Sequence, residues 1–412
     1  MADERFSRSE LPGGLVVVTE RIPWVRSVSA GIWLRQGSAH EQRAELGVSH
    51  LLEHMVFKGT MRRSPKEIAL ALERRGGELD AYTTREHTCY QARVLDEDLP
   101  LAMDVLSDMV VAPKLSQVDL DLEREVVLEE IAGVEDTPDD LVFELHGEAL
   151  WGTHPYGHSI LGTRESVSAF DAEALREVHR RAYRRPNMVV GAVGNLDHDA
   201  FVALVEQHLA TVPNGAQNAP IAQPVPLAGR AEVVERDTSQ THIVFGAPTF
   251  GHADPRRYAM VMLSSAFGGG MSSRLFQKVR EELGLAYAVY AFQSFYGVAG
   301  LCGVYVGTRP EWADRVTEVV TEEMATIARD GLMPDELEDV RGQMKGQLVL
   351  SLESTSARLG RVVGTALYDE PFQSAEELLA KVDAVTAEDV AVLAAEYLDP
   401  ARQTVVRLGP VN

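Results

Sequence analysis

Apolar positions along the chain fall into short runs with a period near two, and these alternate with longer stretches whose period is near 3.6. The runs LVVVTERI, VSAGIWLRQG and TCYQARVL are rich in β-branched and aromatic residues and read as strands. Ser64-Pro65-Lys66-Glu67 forms a capping box with proline at the first helical position. It opens the helix KEIALALERRG, which stops at Gly76-Gly77. Residues 309–399 are mostly helical by the same criterion. Strands alternating with long helices predict an α+β chain.

The pattern occurs twice. Residues 171–195, DAEALREVHRRAYRRPNMVVGAVGN, and 386–409, TAEDVAVLAAEYLDPARQTVVRLG, both read as a capped helix, a tyrosine, a proline three residues on, and a buried strand ending in glycine. Tyr183, Pro186, Val189, Val190 and Gly194 match Tyr397, Pro400, Val405, Val406 and Gly409. VSAGIWLRQGSAHE likewise parallels THIVFGAPTFGHAD, each a strand leading into a polar turn. Between the copies, residues 213–230 hold four prolines and two glycines among few large apolar side chains, which is linker composition. The expected organisation is two homologous domains of duplicated αβ units, 1–215 and 231–412, joined by a linker at 216–230. Each domain is a mostly antiparallel sheet flanked by helices.

Composition narrows the function classes. In 412 residues, 45% hydrophobic and 25% charged content fits a soluble globular chain, and no apolar run reaches the roughly 18 residues of a membrane span. The charged start MADERFSRSELPGG shows no secretory signal, so a cytoplasmic location is expected. A net charge of −23 argues against nucleic acid as a partner and suits basic or neutral ones. Cys89 and Cys302 stand in strand-like runs without metal-ligand spacing and are expected to be buried and reduced. Gly268 to Gly270 lack the lysine and serine or threonine of a phosphate loop.

The chemistry concentrates in SHLLEHMVFKGT, residues 49–60. On a helix, His50 and His54 lie at i and i+4 and project from one face, with Glu53 at the same edge. Two imidazoles and a third protein ligand make a catalytic zinc site, and a carboxylate beside a ligand can take a proton from water there. The order H-x-x-E-H reverses the commoner H-E-x-x-H. Alone, this motif does not decide between zinc chemistry and an ordinary amphipathic helix. In DLEREVVLEEIAGVEDTP, residues 121–138, Glu123 and Glu130 lie seven apart on one helical face with Val126 and Val127, while Glu125 and Glu129 fall on the polar side. Carboxylates on an apolar stripe are costly to bury without a cation. Glu130 is therefore the expected third ligand, Glu123 an assisting carboxylate, and Glu129 the competitor should the register shift by one. His87 reads as structural, and His154 and His158, separated by proline and glycine, as a loop.

With these residues in place, the chain resembles the pitrilysin (insulinase) family of zinc endopeptidases over nearly its whole length. It is most similar to the short branch that includes the mitochondrial processing peptidase β-subunit and its bacterial relatives. In that family a ligand glutamate follows the motif by about 76 residues, the interval from His54 to Glu130, with a second glutamate seven earlier, as Glu123 is. The resemblance implies one zinc ion per chain held by His50, His54 and Glu130, with Glu53 as base and Glu123 assisting. It further implies that Arg280 and Tyr287, seven apart in GGGMSSRLFQKVREELGLAYAVY, bind substrate and the developing oxyanion. The edge at Asp80-Ala81 would pair with the substrate backbone, although the family usually has Asn-Ala there. Aligning GVSHLLEH on GMSSRLFQ puts Ser273, Phe276 and Gln277 where His50, Glu53 and His54 stand, so the second copy is expected to hold no metal. Double-length members close two halves into a chamber. This chain would be one half of such a clamshell and act as a homodimer on short or unfolded, basic peptides. The rival expectation is a non-catalytic or partner-dependent subunit.

Overall fold

The computed structural model describes residues 5–227 and 229–411. From the N-terminus run β1 (Arg5–Leu11), β2 (Leu15–Arg21), β3 (Ser27–Leu34), α1 (Val48–Val56), α2 (Pro65–Glu73), β4 (Glu78–Thr83), β5 (Thr88–Leu95), α3 (Leu99–Val111), α4 (Gln117–Asp136) and α5 (Pro138–Trp151). There follow α6 (Arg164–Ala169), α7 (Ala172–Ala182), β6 (Met188–Gly194), α8 (His198–His208), β7 (Ala231–Glu235), β8 (Thr241–Thr249) and α9 (Arg257–Gly268). The remainder holds a π-helical segment at Phe276–Glu282, β9 (Ala286–Phe295), β10 (Gly300–Thr308), α10 (Ala313–Asp330), α11 (Pro334–Ser351), α12 (Thr355–Leu367), α13 (Ala375–Ala384), α14 (Ala387–Tyr397) and β11 (Thr404–Gly409). The capping box at Ser64 forms in both directions, with Ser64 Oγ accepting from Glu67 N–H and Glu67 Oε2 accepting from Ser64 N–H.

The strands form two sheets, ordered β1-β2-β6-β3-β5-β4 and β7-β11-β8-β10-β9. In the first, β2 and β6 are parallel and the other neighbours antiparallel; in the second, β7 and β11 are the one parallel pair. Apart from the extra β1, the topologies are the same, which is the duplicated α+β unit the sequence pattern implies. β6, MVVGAVG, is buried at every position, as a strand covered on both faces must be.

The units are not two contiguous halves. The first takes the chain through Ile131, then Ser159–Pro220 and Leu350–Ser374; the second takes Ala132–His158, Ile221–Val349 and the C-terminal stretch from Ala375. Each sheet thereby gains one helix from a distant part of the sequence. In the first unit, Val17, Ile32, Val190 and Ala192 face the main core, while Val16, Val18, Trp33, Val189 and Val193 point the other way. Leu359, Val362, Val363 and Ala366 of α12 cover that second face. The approach is so close that a Cβ on Gly191 would lie 2.3 Å from Val363 Cγ2. Fully buried Glu20 on β2 pairs with Arg358, and with Arg361 at 3.0 Å, both from α12. In the second unit α5 plays the same part, with His146 Nε2 donating to the Thr404 carbonyl at 3.1 Å. Period alone cannot say which sheet a helix covers, so the sequence missed both exchanges.

The proline-rich linker is pinned by hydrogen bonds. Asn218 N–H donates to Asn187 Oδ1 at 2.8 Å and Asn218 Nδ2 to the Arg35 carbonyl at 2.6 Å, and Leu227 N–H donates to the Leu150 carbonyl at 2.8 Å. The repeat register differs from the expected one. By element order the counterpart of α1 is α9, and the segment containing Ser273, Phe276 and Gln277 corresponds to α2. The shared Gly-x-Ser had drawn the alignment one helix too far. α9, RYAMVMLSSAFG, holds no histidine or carboxylate. Cys89 and Cys302 are buried free thiols.

Candidate metal centre

α1 is nine residues long and buries Val48, Leu51, Leu52, Met55 and Val56 in the first core. That leaves His50, Glu53 and His54 together on the opposite side, as their i, i+3, i+4 spacing requires. Its N-cap, Gly47, has φ 88°, and a Cβ there would meet the Leu161 carbonyl oxygen at 2.4 Å, so the turn into the helix demands glycine. The two imidazole centroids are 4.7 Å apart.

α4 supplies the acids. It buries Leu120, Glu123, Val127 and Ile131, and leaves Glu125, Val126 and Glu129 exposed. Val126 is thus not part of the buried stripe, and Glu129 is not the residue turned to the histidines. Glu130 is: its carboxylate oxygens lie 3.6 Å from His50 Nε2 and 3.7 Å from His54 Nε2. Ligand atoms of His50, His54 and Glu130 all fall within 4.8 Å of one another, the one such group among the described residues. Two ligands at about 2.0–2.1 Å from a tetrahedral zinc stand about 3.4 Å apart. Glu130 Oε2 is buried without a hydrogen-bond partner among the described residues, which suits an oxygen that ligates a cation. The residues therefore fit a zinc ion. Burial, with His54 alongside, pushes the His50 imidazole down to about 4, so near neutral pH it is in the unprotonated form that coordinates.

Glu123 stands behind the cluster. Its Oε2 is 3.2 Å from His54 Nδ1, leaving Nε2 for the centre, and its Oε1 is 2.5 Å from Lys58 Nζ. A carboxylate on the far ring nitrogen fixes the tautomer and orientation of a ligand histidine. Glu123 thus stands where it can assist through His54, as a carboxylate behind a ligand. Glu53 is largely buried, which pushes its carboxyl up, and the Thr83 hydroxyl, donating to Oε2 at 2.6 Å, pulls it back down. Thr83 and Lys58 were missed. The available signal was spacing: Thr83 ends the strand that begins the Asp80 edge, and Lys58 lies four residues after His54.

Asp80 and Ala81 lie on β4, which pairs only with β5 and ends the sheet. Arg280 and Tyr287 belong to the second unit. The Arg280 guanidinium lies 4.4 Å from the Tyr287 ring centroid and 4.7 Å from that of Phe276, and Nη1 donates to the Tyr287 carbonyl at 3.1 Å. The Tyr287 side chain is open to solvent. His87 is held neutral by burial in the β4–β5 turn, and His154 Nε2 bonds the Ala222 carbonyl at 2.9 Å, so neither joins the cluster.

The family model described as Insulinase (Peptidase family M16) matches residues 16–164, and that of the Peptidase M16 inactive domain matches 169–344. The chain belongs to peptidase family M16. Among M16 relatives, an uncharacterized zinc protease of Streptomyces coelicolor is 42% identical over 98% of this chain and 90% of its own length. One from Bacillus subtilis is 38% identical over 94% and 95%. The M16 fold is shared with solved structures. A peptidase M16 inactive domain from Pseudomonas fluorescens superposes with TM-score 0.94 at 23% identity, covering 99% of this chain and 98% of its own. A protease from Helicobacter pylori superposes at 0.92 with 20% identity, covering 99% and 100%. No helix among the described residues is long and apolar enough to cross a membrane.

Proposed function

We propose that the chain is a zinc-dependent endopeptidase hydrolysing short or unfolded polypeptides. The observation that carries this is the convergence of His50 and His54 of α1 with Glu130 of α4, beside Glu53 on the same side of α1. Zinc held by those three residues would supply Lewis acidity and make water a nucleophile near neutral pH. Glu53 takes the proton of the attacking water and returns it to the leaving amine. Thr83 holds Glu53 in place, and Glu123 with Lys58 holds His54. The free edge of β4 offers main-chain groups to an extended peptide around Asp80 and Ala81, which makes recognition tolerant of sequence. Arg280 and Tyr287 are assigned to the substrate and its developing oxyanion.

The test is a zinc-loaded preparation assayed on a quenched fluorescent basic peptide. Stoichiometric zinc with no cleavage would defeat the reading and leave a partner-dependent subunit. The charge of −23 favours basic peptides. KM for a basic peptide is therefore expected to rise severalfold between low salt and about 0.5 M salt, where the Debye length has fallen to about 4 Å; a constant KM would dismiss this preference. A homodimer, with Arg280 and Tyr287 of the partner subunit meeting the zinc of the first chain, is the assembly proposed. Light scattering that finds a fully active monomer at micromolar concentration would exclude it.

A further inference from the structure

The N-terminus of α1 is held by side chains from outside the helix. Its N-cap is a glycine and supplies no side-chain oxygen. Glu41, between two short helical turns ahead of α1, takes over: Oε2 accepts from Gly47 N–H and Oε1 from Ser49 N–H, each at 2.7 Å. Glu41 is only 6% exposed. Among the described residues no lysine or arginine pairs with it, and Glu45, whose charge acts on it, is itself bound by Arg181 at 2.9 Å. An acid buried without a cation is costly, and burial pushes this one up to about 7 even though both amides and the Ser49 side chain pull it down. A second anchor joins it. Gln36, 3% exposed, donates from Nε2 to Ser49 Oγ at 3.1 Å, while its own Oε1 accepts from Asn218 Nδ2 at 3.0 Å.

We infer that Glu41, backed by Gln36, is the positioning residue of the metal helix: its carboxylate fixes the axial rotation of α1 and so places His50, Glu53 and His54. The anchor acts on Ser49, the residue immediately before His50. Little chain lies between them to absorb a displacement. Ligand geometry tolerates about 0.5 Å or 10–20°, and ligand side chains reach well beyond the helix axis, so a modest rotation of α1 exceeds that limit. A negative charge at this end also complements the helix dipole. The role rests on reading His50, His54 and Glu130 as zinc ligands.

The experiment measures zinc dissociation constants by chelator competition, which needs no peptidase activity, alongside the thermal unfolding of metal-free protein and kcat and KM on the peptide. Glu41→Gln keeps the shape and one accepting oxygen but turns an NH2 toward the second amide. It is expected to unfold cooperatively, bind zinc about 10- to 100-fold more weakly, and lose kcat while KM holds. Gln36→Met removes the donor to Ser49 Oγ with little change of volume and is expected to weaken zinc in the same direction by a smaller factor. A folded Glu41→Gln protein with wild-type zinc affinity and kcat overturns the inference. Should Glu41→Gln not fold, unchanged zinc affinity in Gln36→Met overturns it instead. Wild-type protein that binds zinc but cleaves nothing would remove the peptidase reading and leave this one to be judged on affinity alone.

Discussion

Glu53→Gln is expected to bind zinc as tightly as the parent chain and to hydrolyse peptide about 10²- to 10⁴-fold more slowly. Glutamine preserves volume, and its amide oxygen can still accept from the Thr83 hydroxyl that now meets Oε2. The ligand atoms come from His50, His54 and Glu130, so the metal has no reason to leave. What is lost is a group able to hold a proton, first from water and then for the amine. Zinc content and initial rates on one quenched fluorescent peptide, measured on the same preparations, make the check. Full zinc with more than a tenth of the parent rate would mean the base is another residue. Loss of zinc together with rate would mean Glu53 shapes the site without serving it.

A chain in which Leu350–Ser374 is replaced by a glycine/serine linker is expected not to fold. Without α12, the β-sheet face made by Val16, Val18, Trp33, Val189 and Val193 meets water. Removing one large buried side chain from a core costs about 2–5 kcal/mol, and Leu359, Val362 and Val363 are all at most 1% exposed. Their combined loss is comparable to the roughly 5–15 kcal/mol that stabilises a typical native chain. Glu20, 0% exposed, would also lose both of its arginines. Urea unfolding followed by circular dichroism is the measurement. A cooperative transition at the parent midpoint would refute the dependence, and recovery of structure on adding a 350–374 peptide in trans would establish it directly.

Much of this was legible beforehand, for identifiable reasons. His50, Glu53 and His54 share one helix, so 3.6 periodicity places them without tertiary information. Glu130 required a second helix, yet its spacing from Glu123 on the same face narrowed the choice. The repeated tyrosine, proline and glycine that close each copy exposed the duplication, because a helix-to-strand turn restricts those positions locally. What stayed hidden depends on contacts distant in sequence. No period announces that α12 crosses to Glu20, more than 300 residues away, or that α5 lies over Thr404. Glu41 looked like one acid in a polar loop, since its partners are main-chain amides without a sequence signature. Linker composition likewise could not show that Asn218 is fixed by hydrogen bonds to Asn187 and Arg35.

The outermost strand of the first sheet has one more consequence. An unpaired sheet edge can pair with the same edge of another copy, and chains so joined would aggregate. On β4 the exposed positions alternate with half-buried ones, and two of the exposed three are Glu78 and Asp80. Laid antiparallel against itself in the registers that oppose Glu78 and Asp80, this strand would bring like carboxylates face to face, which is unfavourable. A peptide carrying lysine or arginine meets the same carboxylates as attraction. Glu78 and Asp80 thus set this edge against pairing with its own copy, and under the proposed function the same charge would favour cationic strands.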